Sequence, residues 1–294
     1  MNAHRSVIAA VLSTACIAST LAGSAAAEEP TYRLRYKFNP GETICWDVVH
    51  RSDVRTTVAG TTQRAESTSE SVKLWRVTKV KPDGTATFVY SVDDVEMLQR
   101  MSGREEVRYN SKTDEEPPMG FENVAQAVGK PLSVVTLDPQ GNVVEREQKH
   151  KSSVVEPREG DITIPLPEKR VPIGHRWSRP HDVQVKLDSG GMKTISTRQT
   201  FTLESVKTGV ATISVRTNVL TPVSDPAIEA QLTSCAAEGH VRFDIDAGRV
   251  ISQRLDTDKH VVGFRGDASS LHYRTRFSER LVDDEAARTA RREE

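Results

Sequence analysis

The stretch ICWDVVHRSDVRTTV at residues 44–58 decides the fold class. Ile44, Trp46, Val48, Val54 and Val58 share one parity there, while Asp47, Arg51, Asp53 and Arg55 share the other. A period of two over so long a run predicts one long β-strand with a single apolar face. Ala59-Gly60 predicts a hairpin turn, and the return strand is rich in Thr, Ser and Glu to Ser71, with apolar residues only at Val72, Leu74, Trp75 and Val77. The hairpin tip is therefore expected to project into solvent, and the adjacent Leu74-Trp75 pair predicts a bulge.

Outward from this hairpin the alternation continues. Lys81-Pro82-Asp83-Gly84 is a turn, and Phe88, Tyr90 and Val92 read as one face of a more central strand. Residues 103–118 are charged around Val107 and Tyr109, which predicts a short strand and a loop. Phe121, Val124, Ala125 and Val128 recur at helical spacing, with Gly129 at a left-handed cap and Pro131 blocking continuation. Later, Asp225-Pro226 has the form of a helix start, and strands follow through Val241-Phe243-Ile245, residues 250–262, and Leu271, Tyr273 and Phe277.

The two halves echo each other. Gly41 and Trp46, Val80 with Gly84-Thr85-Ala86-Thr87, a helical run before Gly129, and Leu137-Asp138-Pro139-Gln140-Gly141 come first. Gly174 and Trp177, Val206 with Gly209-Val210-Ala211-Thr212, a run before Gly239, and Ile245-Asp246-Ala247-Gly248 answer in the same order. The expected fold is mostly β, with long antiparallel curved sheets forming two similar half-barrel-like lobes and one or two short covering helices. The expected layout is a signal peptide at 1–27, a first lobe at 28–148, a connector at 149–170, a second lobe at 171–282 and a charged tail at 283–294.

The signal reading rests on His4 and Arg5, an apolar stretch over residues 7–21, and Ala25-Ala26-Ala27. It predicts export to the periplasm or beyond, with a lipid-modified Cys16 as the alternative. About 267 of the 294 residues remain after such cleavage. The formal net charge of −1 implies no strong steering toward nucleic acid, and the few aromatic residues argue against a stacking platform for bases. Cys45 and Cys235 are the mature cysteines, and export would permit a disulfide between them if they meet; two small core residues are the other reading.

No catalytic constellation emerges. The histidines lack metal-ligand spacing, and no metal or cofactor is expected. Asp244-Ile245-Asp246-Ala247-Gly248 resembles the start of a calcium loop, but Leu255 stands where its bidentate carboxylate belongs, so it reads as a turn. The pairs Asp93-Asp94 and Glu105-Glu106 point to opposite strand faces and cannot flank one glycosidic bond. Arg265-Gly266-Asp267 is read as a turn rather than an adhesion signal.

Three stretches, YRLRYKFNPGE at 32–42, RYNSKTD at 108–114 and VVGFRGDASS at 261–270, resemble an uncharacterised family of exported planctomycete-type bacterial proteins. The resemblance covers nearly all of the mature chain, implies an extracytoplasmic location, and transfers no catalytic residues. The inferred architecture is also similar to the half-barrels of periplasmic lipoprotein carriers. Two functions follow as expectations. The first is a non-enzymatic envelope protein holding an apolar ligand, a lipid or acyl chain, in a concave groove with Trp46, Phe121, Val124, Val128 and Trp177 as candidate lining. The second is a structural or protein-interaction module at the cell surface, working through the hairpin at 58–71 and exposed strand edges.

Overall fold

The structure is a computed structural model and describes residues 29–150 and 163–282. The signal segment, Cys16, residues 151–162 of the connector and the charged tail lie outside the described residues. The fold is mostly β. Its strands are β1 (Thr31–Tyr32), β2 (Thr43–Val58), β3 (Thr61–Val80), β4 (Ala86–Met101), β5 (Val107–Asn110), β6 (Pro131–Leu137) and β7 (Val143–Gln148) in the first half. The second half holds β8 (Val171–Pro172), β9 (Arg176–Lys186), β10 (Met192–Lys207), β11 (Val210–Val219), β12 (Glu238–Asp244), β13 (Arg249–Val262) and β14 (Ser270–Val282). Two short helices, α1 (Glu122–Ala127) and α2 (Pro226–Leu232), sit between β5 and β6 and between β11 and β12.

Twelve of these strands form one antiparallel sheet in the order β7-β6-β4-β3-β2-β14-β13-β12-β11-β10-β9, with β5 beside β4. The last strand joins the halves: β14 pairs with β2 from Ser270 opposite Thr57 to Val282 opposite Cys45. The sheet ends on β7 and β9 and does not close into a barrel. Both edges carry residues that discourage further pairing, Pro180 in β9 and Glu145, Arg146 and Glu147 in β7. At the β2–β3 tip, Ala59 and Gly60 both have positive φ, 48° and 79°, the pair of left-handed residues that a tight hairpin turn requires. The expected bulge lies elsewhere. Leu74 and Trp75 keep regular alternation, and the register instead shifts between Ser71 and Lys73, where β4 carries one extra residue.

The halves are assembled with matching register. Gly41 N donates to Val77 O and Gly174 N to Leu203 O; Val77 N returns to Glu42 O and Leu203 N to His175 O. Val77 lies opposite Phe88 and Leu203 opposite Ile213, and a register shift follows each pair, at Val77/Lys79 and at Leu203/Ser205. A second pair of shifts falls at Thr136/Leu137 and Arg242/Phe243. In this register Trp177, opposite Phe201, corresponds to Ile44, opposite Trp75, and not to Trp46. Ile44 and Trp46 share a face, so an indole at either position enters the same core.

The main core lies between the halves and takes Ile44, Trp75, Phe88 and Leu137 from the first and Phe201, Ile213, Val241 and Phe243 from the second. An extended strap, residues 31–38, runs through it. Leu34, Tyr36 and Phe38 point inward, with Tyr36 4 % exposed, while Arg33, Arg35 and Lys37 point outward. One turn from each half grips it, through Tyr36 N to Pro139 O at 2.8 Å and Lys37 N to Gly248 O at 2.9 Å. The approach is possible because residues 141 and 248 are glycines. A Cβ at Gly141 would lie 2.4 Å from Tyr36 Cε2, and one at Gly248 2.7 Å from Lys37 N.

The described connector residues divide: Lys149, Glu168, Lys169 and Arg170 are exposed, and residues 163–167 are not. Thr163, Ile164, Pro165, Leu166 and Pro167 are all buried. Ile164 and Leu166 alternate into the main core, Leu166 N donates to Gln140 O, and Tyr36 Oη donates to Ile164 O. Proline-rich composition therefore marks a segment without sheet partners, here sealed by apolar side chains and isolated hydrogen bonds.

Candidate ligand-binding face

The strand pairing assigns every residue of the central strands to one of two faces. The core-side face starts in the main core with Ile44, Trp46 and Trp75 and continues along β2 through Val48, His50, Ser52 and Val54. Opposite these lie Ser71, Ser69, Ser67 and Ala65 on β3, and Glu279, Phe277, Thr275 and Tyr273 on β14. Leu255 on β13 is opposite Phe277. Val48 and Leu255 pack against the main core, and beyond them Val54, Tyr273 and Phe277 remain half-buried, on a floor of small hydroxyl residues. His50 is exposed on this face, yet the surrounding protein displaces enough water to lower its pKa.

Both helices pack on this same face. α1 closes a satellite cluster in which Phe121, Val124 and Val128 meet Val95, Met97 and Tyr109. Gly129, with φ +73°, ends that helical run. α2 is capped by Asp225, whose carboxylate accepts from Ala227 N at 2.8 Å, and packs Ile228 and Leu232 on Val183, Val185 and Ile195. At the inner end of the open stretch Lys73 and Glu279 form an ion pair of 2.7 Å, with side chains 13 % and 6 % exposed. Lys73 Nζ lies 4.5 Å from the Trp46 ring and 5.1 Å from the Trp75 ring, and Gln253 donates to Glu279. Burial pushes Tyr90 up to about 12, reinforced by the negative charge of Glu279.

The opposite face of the same strands is an ion-pair ladder. Arg280 meets Asp47 at 3.2 Å, Arg51 meets Glu70 at 3.6 Å, and Arg64 and Arg274 both hold Asp53. Arg276 meets Asp256 at 2.6 Å and His272 meets Asp258 at 2.8 Å. The Arg64 hydrogen bond, supported by Arg274, holds Asp53 well below the usual carboxylate range.

The residues marked out by sequence occupy two places. Trp46 is 2 % exposed in the main core and donates to Val250 O at 3.2 Å. Trp177 is half-buried, stacked 5.7 Å from Phe201, and donates to Pro165 O at 2.7 Å. Phe121, Val124 and Val128 gather instead under α1, with Phe121 stacked 6.2 Å from Tyr109. Cys45 is buried in β2 and Cys235 packs against the α2 cluster, with no bridge joining them. Sequence reasoning missed Tyr273, Phe277 and Leu255 as part of a shared surface. Their alternation was visible, but the β14–β2 pairing that sets them beside Val54 and His50 was not.

A polar cleft opens around the strap, lined by Arg33, Arg35 and Lys37 and by turns carrying Asp83, Asp138 and Asp246. Its groups serve the fold. Lys37 donates to Ile245 O and Asp246 O, Arg35 to Leu34 O, Pro167 O and Glu168 O, and Asp138 accepts from Gln140 N and Asn142 N. Asp244 likewise accepts from Asp246 N and Ala247 N, as a turn aspartate does. Among the described residues no three His, Cys, Asp or Glu side chains converge as a metal site.

No family model matches the chain, and no curated protein matches it. Among solved structures it is similar to lipovitellin, from a structure concerned with lipid–protein interactions, at 12 % identity and a TM-score of 0.45 over 84 % of this chain. The match spans about a quarter of that protein, 26 % of its chain. It is also similar to DynF from the dynemicin biosynthesis pathway of Micromonospora chersina, at 9 % identity and a TM-score of 0.20 over 88 % of this chain and 89 % of that one.

Proposed function

We propose that this is an exported, non-enzymatic binding protein that holds an apolar or amphipathic ligand, such as an acyl chain, on the open core-side face between α1 and α2. One observation carries the reading: the central strands form a single layer whose two faces differ in kind. One face is a ladder of ion pairs suited to water, and the other presents Val48, Val54, Tyr273, Phe277 and Leu255 across β2, β14 and β13. An antiparallel sheet tolerates water on one face, and apolar side chains left half-buried on the other gain stability when they are covered. The candidate lining therefore moves from Trp46, buried in the main core, and Trp177, packed against it, to Tyr273 and Phe277, with Leu255 at the edge of the core. The export signal and the resemblance to exported bacterial proteins supply the setting.

Native mass spectrometry and lipid extraction of protein purified from its secreted form test this. An adduct of lipid mass is expected, absent from Phe277→Asp protein that retains its β-sheet circular dichroism. Wild-type protein that carries no adduct and takes up no fatty acid would sink the reading. A second reading, a surface interaction module, draws support from the exposed tip at Thr61, Thr62, Gln63 and Arg64. Most of the hairpin pairs with β4 as well as β2, so substitutions at Thr61 to Ser and Gln63 to Ala test it without dismantling the sheet. Unchanged crosslinking by that variant counts against the tip as the contact.

We also read the chain as two copies of one unit, β2-β3-β4-α1-β6-β7 and β9-β10-β11-α2-β12-β13. Two register shifts at corresponding positions in each half support this, since bulges are specific features of a strand pair. An experimental structure in which either shift falls out of step between the halves would remove that support.

A further inference from the structure

On the ladder face, opposite the proposed ligand surface, the register brings four basic or protonatable side chains into one row. Arg64 on β3 is directly opposite Arg55 on β2, Arg55 is opposite His272 on β14, and His272 is opposite His260 on β13. Neighbouring strands are about 4.8 Å apart, so the row spans about 14 Å across the sheet. Like groups directly opposite one another destabilise a sheet, and the next four rows toward the core on these strands each contain an acid as well as an arginine.

The surroundings compensate only part of the row. Toward the hairpin tip the next row is Thr62, Thr57, Ser270 and Val262, with no charge. Toward the core it is Glu66, Asp53, Arg274 and Asp258. Asp53 takes Arg64 and Arg274, and Asp258 takes His272. Arg55 and His260 are exposed, and neither has an acceptor among the described residues; the His260 and His272 rings lie 5.6 Å apart. With both histidines neutral, three arginines balance Glu66, Asp53 and Asp258. With both protonated, the patch has two uncompensated positive charges. The near-neutral chain as a whole conceals this local site.

We propose that this row is an acid-enhanced binding site for a linear polyanion bearing phosphate or sulfate groups, laid across β3, β2, β14 and β13. Arg55 and His260 supply open donors, Arg64 and His272 flank them, and oxyanions accept such charge-assisted hydrogen bonds. Histidines acquire charge on acidification, so binding strengthens as pH falls. The site uses the face away from the apolar surface and does not depend on a lipid being bound there.

Short-chain inorganic polyphosphate, titrated calorimetrically at about pH 5.5 and about pH 8, provides the test. The wild-type protein is expected to bind at least about tenfold more tightly at the lower pH. His260→Gln together with His272→Gln should abolish that difference, and Arg55→Gln should weaken binding at both values. His175→Gln with His181→Gln, histidines remote from the row, should leave the difference intact and so separates the site from general acid charging. Circular dichroism confirms that each variant is folded. Equal binding at both pH values, loss of the difference in the remote pair, or binding of phosphatidylglycerol vesicles without polyphosphate binding would overturn the proposal.

Discussion

Replacing Gly141 with alanine tests how tightly the strap is held between the halves. The backbone there has φ +84°, and an L side chain in the left-handed region costs about 1–2 kcal/mol. The added Cβ would stand 2.4 Å from Tyr36 Cε2 and 2.8 Å from Ile164 O. Non-bonded carbons rest about 3.5–4.0 Å apart, so the ring or the turn must retreat by about 1 Å. Tyr36 has little room, since its ring lies 5.4 Å from Phe243 and 6.1 Å from Phe38 and its hydroxyl donates to Ile164 O. Overpacking of this kind costs about 1–3 kcal/mol, for a sum of about 2–5 kcal/mol.

Gly41 is the internal control. Its φ is +81°, but nothing lies within 4 Å of an added Cβ, so Gly41→Ala incurs the backbone cost alone. A domain of this size loses about 2–4 °C of Tm per kcal/mol, so Gly141→Ala should melt about 2–12 °C below Gly41→Ala. Thermal unfolding followed by far-ultraviolet circular dichroism measures the difference. Indistinguishable melting temperatures would refute the close contact between turn and strap. A Tyr36→Leu background should recover part of the loss, because the ring is one of the two atoms groups in the way.

The two core tryptophans, whose rings meet edge-on 4.7 Å apart, should respond differently to phenylalanine. Trp46→Phe removes the donor to Val250 O, whereas the buried Trp75 Nε1 has no acceptor among the described residues, so Trp46→Phe should cost about 1 kcal/mol more in urea unfolding. At alkaline pH, burial raises Tyr36 and Tyr90, the latter to about 12, so the unfolded chain loses these protons first. Stability is then full below the ordinary tyrosine value of about 10 and is lost as pH rises toward 12, which phenolate absorbance and circular dichroism should report together. At acid pH the sign reverses for Asp53, whose depressed pKa contributes stability above the usual carboxylate value that is lost as pH falls. Asp53→Asn should flatten the acid side of the stability profile. Asp225→Ala, which removes the α2 cap, should cost about 1 kcal/mol in the same assay.

Local signals were legible wherever the cause is local. The alternation at residues 44–58 became β2, the run from Phe121 to Val128 holds the short helix α1 with Gly129 of positive φ after it, and the aspartates at 138 and 244 became turn caps. The candidate site was less legible. Trp46 and Trp177 are large apolar residues of a kind that core and groove share, and parity cannot say how far along a strand the core ends. Leu74 and Trp75, both apolar, suggest a bulge from sequence alone, while the register shift depends on β4 opposite Ser71.

By itself the sequence determined a mostly β chain, the turns and helices that punctuate it, and a parallel order of elements in its two halves, because these follow from period, backbone preference and capping within a few residues. Only the tertiary structure decided that β14 pairs with β2 to make one open sheet, that Leu34, Tyr36 and Phe38 of the strap and Ile164 and Leu166 of the connector enter its core, and that Arg64, Arg55, His272 and His260 stand in one row. Those are facts of register between strands as much as two hundred residues apart, and register is set by how whole faces pack together rather than by any one stretch.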